Sequence, residues 1–523
     1  MHCWCRLLVV LALLDLVPRA RAEESTLRAV MNVELQVLDP QVTTATVTRS
    51  LGYMVYDTLV SMDQQGRFHP QMLEKWDVSE DRLTWTFTLR PGLAWQDGSA
   101  VTADHCVASL RRWAKGDAFG RRLMAAAQDL AVVDPRTFVL HLSRPFAFVI
   151  EALGKPNAFV PFIMPARLVA NDISKPITEV MGSGPFIFDK QAWVPGDRAI
   201  FRRNPAYQPR PEPADGLAGG KVAHFGRVEF LSMPDPASRI TALQTGAVDY
   251  LEGLPIDYID MMRHTAGITV IQQPALAQAM GGLSINNLLP PFNDVRIRKA
   301  LQIALDQSEI MAGLGLPSDM YLPFCQDVFL CGGPYASAVG TKALRHPSVD
   351  KARALLKQAG YNGERIVLLH STDTAQINAI SLVVIDEMKR AGFNLDVVAS
   401  DYSSLAQRRL KKVPLDQGGW NLMTVAWTGY DLINPLSHYA TSYSCSAYPG
   451  WACDPEMAPL VAKFEVETDP AKRQDLADQM QVRVLDQAPQ LFLGQFSPPT
   501  AYRSNLHGVI ANGLHVFWNV RRE

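Results

Sequence analysis

This chain predicts an α/β fold from three observations. Residues 365–402 read strand, helix, strand: "RIVLLHS", then "INAISLVVIDEMKRAGF", then "LDVVASDY". That alternation argues a mostly parallel sheet with a crossover helix. Elsewhere, short segments alternate apolar and polar residues with the period of a half-buried strand, and others place apolar residues at helical spacing.

In chain order, the first 22 residues read as a secretory signal. Arg6 supplies the positive start, "LLVVLALLDLV" the apolar middle and "ARA" (20–22) a small-x-small cleavage site. The run is too short to stay behind as a membrane span. Cys3 and Cys5 precede it, where a lipidated cysteine would not lie. The mature protein is expected to be soluble and exported.

"LTWTFTL" (83–89) puts Leu83, Trp85, Phe87 and Leu89 on one face of a strand and threonines on the other. "PGLAWQDGSAVTADHCVASLRRW" is a Gly-rich turn followed by a helix, with Thr102 as N-cap and Asp104 in the first turn. "TFVLHLSRP" (137–145) is a second alternating strand. "NPAYQPRPEPADGLAGG" (204–220) carries too much Pro and Gly for an element interior and reads as a surface loop. "FNDVRIRKALQIALDQSEIM" (292–311) spaces Ile297, Leu301, Ala304 and Leu305 helically behind an Asp294 cap. "SVDKARALLKQAGY" (348–361) is an amphipathic helix closed by Gly360.

Composition is ordinary for a globular chain, with 48% hydrophobic and 20% charged residues. The formal charge is −2; Arg6, Arg19 and Arg21 against Asp15 give the signal +2, so its removal leaves −4. No basic surplus points to nucleic acid or an anionic membrane. Five cysteines follow the signal. In an oxidising compartment the simplest pairing is local, Cys325 with Cys331 and Cys445 with Cys453, leaving Cys106 alone. The two cross-pairings and a zinc site compete, but neither spacing is a usual ligand spacing and no His pair accompanies them.

Catalytic signatures are missing: no G-x-S-x-G elbow ("MGSGPF" crowds its glycines against Ser183), no H-E-x-x-H, no C-x-x-C, no Walker loop and no G-x-G-x-x-G. No metal ligand set or cofactor is expected. The chain leans toward binding, with a secreted hydrolase of dispersed active site as the rival.

Several segments together resemble one family. They are "YDTLVSMDQQGRFHPQMLEKWDVSEDRLTWTFTLRPGLAWQDGSAVTADHCVASLRRW" (56–113), "GSGPFIFDKQAWVPGDRAIFRRNPAYQ" (182–208), the 292–311 helix and "GWACDPEM" (450–457). In this order they resemble the solute-binding proteins of bacterial ABC importers, of the dipeptide/oligopeptide-binding, family 5 type. The likeness covers nearly the whole mature chain. It departs at His105 and Cys106, where the family usually has an acid and an aliphatic residue. The resemblance implies a two-lobed periplasmic-binding-protein (type II) fold with hinge strands and a ligand cleft between lobes. Lobe I would take 23–280 with a C-terminal return at 495–523, and lobe II 281–494; "GGLSINNLLPPFND" is the hinge candidate. It also implies a monomer that captures a small peptide-like or amine-bearing solute and delivers it to a membrane permease and its ATPase subunits. Opines, glutathione, oligosaccharides, haem and metal chelates are alternative cargoes of the same fold, and delivery to a sensor is an alternative destination.

The resemblance also nominates site residues. In "TVAWTGYDLINPLSHY" (424–439), Asp431 stands among Trp427, Tyr430, Leu432 and Ile433. Peptide-binding members pair an acid shortly after a Trp with the ligand's α-ammonium, in a W-x-x-D-x-x-x-P segment. Here Asp431 keeps its spacing to Pro435 but lies one residue further from Trp427, and Asn434 replaces an acid. An acid compensated only by an arriving ammonium would couple ligand entry to closure, with Trp427 and Tyr430 as aromatic walls. The structural alternative is a turn cap or an ion pair with a nearby Arg. Glu34 in "ELQVLDP" and Thr44 in "TTAT" resemble the family's cleft border. Tyr402, Trp420 and Tyr443 flank the same region. Arg408 and Arg409 carry no assignment.

Overall fold

A computed structural model describes residues 25–441, 443, 445 and 448–523. The expected signal, with Cys3 and Cys5, lies outside the described residues. Three sheets carry the architecture. A seven-stranded sheet is ordered Phe186–Phe188, Arg198–Arg203, Arg227–Ser232, Thr26–Met31, Tyr250–Leu251, Thr500–Arg503, Ile268–Ile271. Its centre is parallel: Thr26–Met31 runs in register with Arg227–Ser232, Thr26 opposite Arg227. A four-stranded antiparallel sheet is ordered Leu73–Val78, Thr84–Leu89, Thr137–Leu142, Ala127–Asp134. A five-stranded sheet is ordered Leu395–Ser400, Ile366–Ser371, Leu422–Thr428, Ala279–Ile285, Gln490–Phe496.

The chain passes from the seven-stranded to the five-stranded sheet between Ile271 and Ala279. It returns between Phe496 and Thr500. The stretch 281–294 therefore begins inside the strand Ala279–Ile285. Among the described residues no helix is long and apolar enough to cross a membrane.

Local chemistry accounts for most elements. In Thr84–Leu89, Trp85, Phe87 and Leu89 are buried while the threonines stay half-exposed, as alternation requires. The helix Ala103–Gly116 starts at Thr102, whose N–H donates to His105 Nδ1 at 3.0 Å. Partial burial lowers the His105 pKa, so a neutral imidazole fills the reciprocal acceptor position that Glu or Gln usually takes in a capping box. Gly360 ends Val349–Ala359 at φ 83°, a conformation that costs glycine little.

Two expectations are modified. The apolar spacing over 292–311 continues, yet the helix breaks after Ala304. Asp306 then caps a second helix, Gln307–Ala312, by accepting from Ser308 N at 2.9 Å; a local side-chain cap outcompetes helix continuation. The β-α-β unit is parallel as expected, Ile366–Ser371 beside Leu395–Ser400. Its sheet is mixed, however, because Ala279–Ile285 pairs antiparallel with both neighbours.

Cys325 is joined to Cys331 and Cys445 to Cys453; Cys106 is free and buried.

Candidate functional site

A cavity of about 560 Å³ opens between two sets of segments, a size typical of small-molecule sites. One wall is drawn from within 116–125, with Arg144 and 157–159; the other is drawn from within 436–448, with Ala462 and Glu465.

The first wall is built by a buried ion pair. Asp117 caps the helix Ala118–Ala126, accepting from Gly120 N at 2.8 Å. Its other oxygen accepts from Lys155 Nζ at 2.8 Å, with both side chains almost fully buried. Lys155 also donates to the Ala158 and Phe159 carbonyls, and Trp113 Nε1 donates to the Phe159 carbonyl at 2.7 Å. These bonds hold Phe159 at φ 59°, a left-handed conformation that costs a non-glycine residue about 1 kcal/mol or more. The strained turn presents Asn157, Ala158 and Phe159 to the cavity. Burial lowers the Lys155 pKa, opposed by the Asp117 charge.

The second wall hangs from the end of the strand Leu422–Thr428. The turn Gly429–Asp431 follows, then the segment to Thr441, with the helix Met457–Val466 alongside. Asp431 is 6% exposed. It accepts from Ala158 N at 3.1 Å and from Thr428 Oγ1 at 2.7 Å, and the Arg49 guanidinium lies 3.7 Å away. An acid awaiting its cation from outside was the expectation. Arg49, from the helix Thr46–Val55, supplies that cation from within. Asp431 is not among the lining residues; it sits one layer back, bonded to the wall residue Ala158.

The other nominated residues divide. Trp427 is buried against Tyr439 and Phe492, and its Nε1 reaches the Tyr448 hydroxyl at 3.4 Å. Tyr430 is buried, and burial pushes its hydroxyl pKa far up. Thr44 is exposed, but its carbonyl accepts from Arg49 at 3.5 Å. Glu34 stands apart: it bonds Gln36 and lines a separate shallow pocket with Trp193 and Gly196. Trp420 is buried and Tyr402 half-buried; Tyr443 lines the cavity.

Sequence reasoning missed the arginines. Arg122 donates to Glu465 Oε1 at 2.8 Å and Arg144 to Glu465 Oε2 at 3.1 Å, so one buried acid from the second wall holds two cations from the first. Arg122 also lies over the Tyr443 ring, 5.5 Å from its centroid. "GRRLM" and "SRPF" give no periodic sign of converging, since their meeting depends on tertiary packing. Lys155 and Arg49 did carry a signal: each is a lone cation in an apolar stretch, "ALGKPNAFVPF" and "TVTRSLGYMV". Among the described residues no cluster of His, Cys, Asp and Glu is arranged to hold a metal ion.

Comparison with known proteins places this geometry. The profile of the bacterial extracellular solute-binding proteins, family 5 Middle, matches residues 67–450. A probable peptide ABC transporter periplasmic-binding protein of Sinorhizobium fredii is 35% identical over 511 residues, 96% of this chain and 94% of that protein. A glutathione-binding protein of Pectobacterium atrosepticum is 23% identical, covering 87% of this chain and 86% of its own. Among solved structures, a dipeptide binding protein from Pseudoalteromonas sp. SM9913 in complex with Met-Leu superimposes with a TM-score of 0.79. It covers 95% of this chain and all of that chain at 18% identity.

Proposed function

Since the chain belongs to the bacterial extracellular solute-binding proteins of family 5, we propose that its cavity captures a small peptide-like solute for delivery to an ABC permease. The protein is the solute-binding component of such an importer, and its relatives are transport proteins rather than enzymes. The observation that supports the site is the cavity of about 560 Å³ whose two walls come from separate parts of the chain. Relative motion of those walls admits and encloses a solute, and a solute that contacts both favours the closed form. The peptide class is supported by the Sinorhizobium relative.

In this reading the protein is exported and acts as a monomer outside the inner membrane. Lobe I holds the seven- and four-stranded sheets and lobe II the five-stranded sheet. The lobes are then divided at the stretches between sheets, 272–278 and 497–499, rather than at the 280/281 and 494/495 expected from sequence. For Asp431 to anchor an ammonium, Arg49 must yield its place; Trp427 and Tyr430 then back the site, with Thr44 tied to it through Arg49. Glu34 touches solute only if the solute reaches beyond the cavity. One observation favours the alternative of a solute without an ammonium, such as an oligosaccharide: Asp431 already has its cation.

The test is thermal unfolding of the mature protein and of Asp431→Asn with dipeptides, tripeptides, N-acetylated peptides, glutathione and sugars. A peptide ligand raises the melting temperature, because it binds only the folded state. Loss of that rise on acetylation and in Asp431→Asn identifies the ammonium anchor. A rise with sugars alone overturns the peptide assignment, and a rise with glutathione alone narrows it to a γ-linked peptide.

A further inference from the structure

We infer that the cavity selects an anionic solute, whose carboxylate is received by Arg122 and Arg144. The inference rests on the cavity being the solute site and deepens that reading by naming the charge of the cargo.

The wall carries three guanidinium groups, Arg121, Arg122 and Arg144, and two carboxylates, Asp117 and Glu465. Asp117 is neutralised by Lys155 at 2.8 Å. Glu465 alone is left to balance three arginines, an excess of two positive charges on the wall. A solute ammonium finds no unpaired acid there, because Asp431 lies behind Ala158 with Arg49 beside it.

The arginines also keep donors in reserve. An arginine carries five N–H donors in a planar fork suited to carboxylates. Arg144 gives only Nη2 to Glu465, and Arg122 gives only Nη1, shared between Glu465 and the Tyr443 hydroxyl at 3.5 Å. Arg121 donates Nη1 to the Lys115 carbonyl at 3.1 Å. None of the three guanidinium groups has a further hydrogen-bond partner among the described residues. Glu465 is 7% exposed, whereas the Arg122 and Arg144 side chains are 21% and 43% exposed. The acid is therefore the buried post that orients the pair, and the cations keep the open sides. A carboxylate arriving there meets two preoriented forks in a partly desolvated site, worth about tenfold or more in affinity over a neutral amide.

The experiment is isothermal titration of the full mature protein and of Arg144→Gln with Ala-Glu, Ala-Gln and Ala-Gln amide, plus glutarate against its monoamide. Arg144 is the more exposed of the pair, so its substitution leaves the fold intact; circular dichroism checks this. The expected result is affinity falling from Ala-Glu to Ala-Gln to the amide, by about tenfold between the ends. The preference weakens with added salt and collapses in Arg144→Gln. Equal affinity across the peptide series, or a preference that survives in Arg144→Gln, overturns the inference while leaving the peptide reading standing. Binding of glutarate over its monoamide with no peptide bound upholds the inference and removes the peptide reading. Binding of none of these probes at millimolar concentration overturns both.

Discussion

Asp431 and Arg49 form a buried pair that also touches the cavity wall, so each substitution has a structural consequence before any effect on solute. Arg49→Ala leaves the Asp431 carboxylate with two neutral donors and no cation. Breaking such a pair is expected to cost about 2–3 kcal/mol in chemical denaturation, more than an exposed arginine such as Arg353 would. His438, on the cavity wall, gives a pH signature. Burial pushes its pKa from 6.5 to about 3, and its Nδ1 accepts from Ala440 N at 3.0 Å, which requires the neutral ring. The unfolded chain binds this proton first. His438 therefore adds stability above pH 6.5 that is lost as pH falls toward 3, by about 1.4 kcal/mol per pH unit within that window. Burial raises Asp327 to about 7 and Glu387 to about 8, and both act in the opposite direction. The measurement is therefore the pH slope of wild type minus that of His438→Gln, in which the two acids cancel; a zero difference between pH 6.5 and 4 would refute the assignment. At this scale the sequence revealed Asp431 because an acid among aromatics needs a partner. It did not reveal which partner, since Arg49 lies far away in the chain and only packing joins them.

At the scale of elements, patterns of period two and 3.6 were legible because each strand or helix buries its own apolar face. Thr84–Leu89, Val349–Ala359 and the β-α-β unit all follow their patterns. What periodicity does not carry is competition from caps, as at Asp306, or strand direction, as in the mixed sheet. Neither shows in an apolar count. Gly282 shows a further packing constraint: a Cβ there would overlap the Trp427 ring on the neighbouring strand. Gly282→Ala is expected to cost about 1–3 kcal/mol by overpacking, with a change in tryptophan fluorescence; an unchanged melting curve would show that the ring has room to move. The short Cys325–Cys331 loop lies against the same sheet, where Cys331 N donates to Gln495 Oε1 at 3.0 Å. Replacing both cysteines by serine is expected to cost about 2 kcal/mol, the entropy of closing so small a ring, seen as an earlier urea midpoint.

At the scale of the whole molecule, two short connections, 272–278 and 497–499, join the sheets, so they must absorb any rotation of one part against the other. Contacts opposing separation include Ala158 N and Arg49 to Asp431, Ala147 N to the Glu465 carbonyl, the Phe148–Phe464 stack at 4.8 Å, and the Arg122–Glu465–Arg144 bridge. Glu465→Ala removes the last of these. Its radius of gyration by small-angle scattering, without solute, is expected to exceed that of wild type, whereas Arg353→Ala is expected to leave it unchanged. Equal radii would mean that the contacts which remain, the Ala158–Asp431 bond and the aromatic stack among them, are enough to hold the two walls together.

The strand Thr500–Arg503 lies between Tyr250–Leu251 and Ile268–Ile271, within the sheet that holds Thr26–Met31. Segments more than 450 positions apart in the chain, Thr26–Met31 and Thr500–Arg503, therefore share one surface. A nascent chain reaching residue 490 has every other strand of that sheet but lacks the one that joins the edge strand Ile268–Ile271 to the remaining five. Until residues 500–503 are made, that edge strand has no neighbour in the sheet to pair with. Pairing between segments so distant in sequence is slow to form, so the order in which the strands are made defers completion of this sheet to one late event.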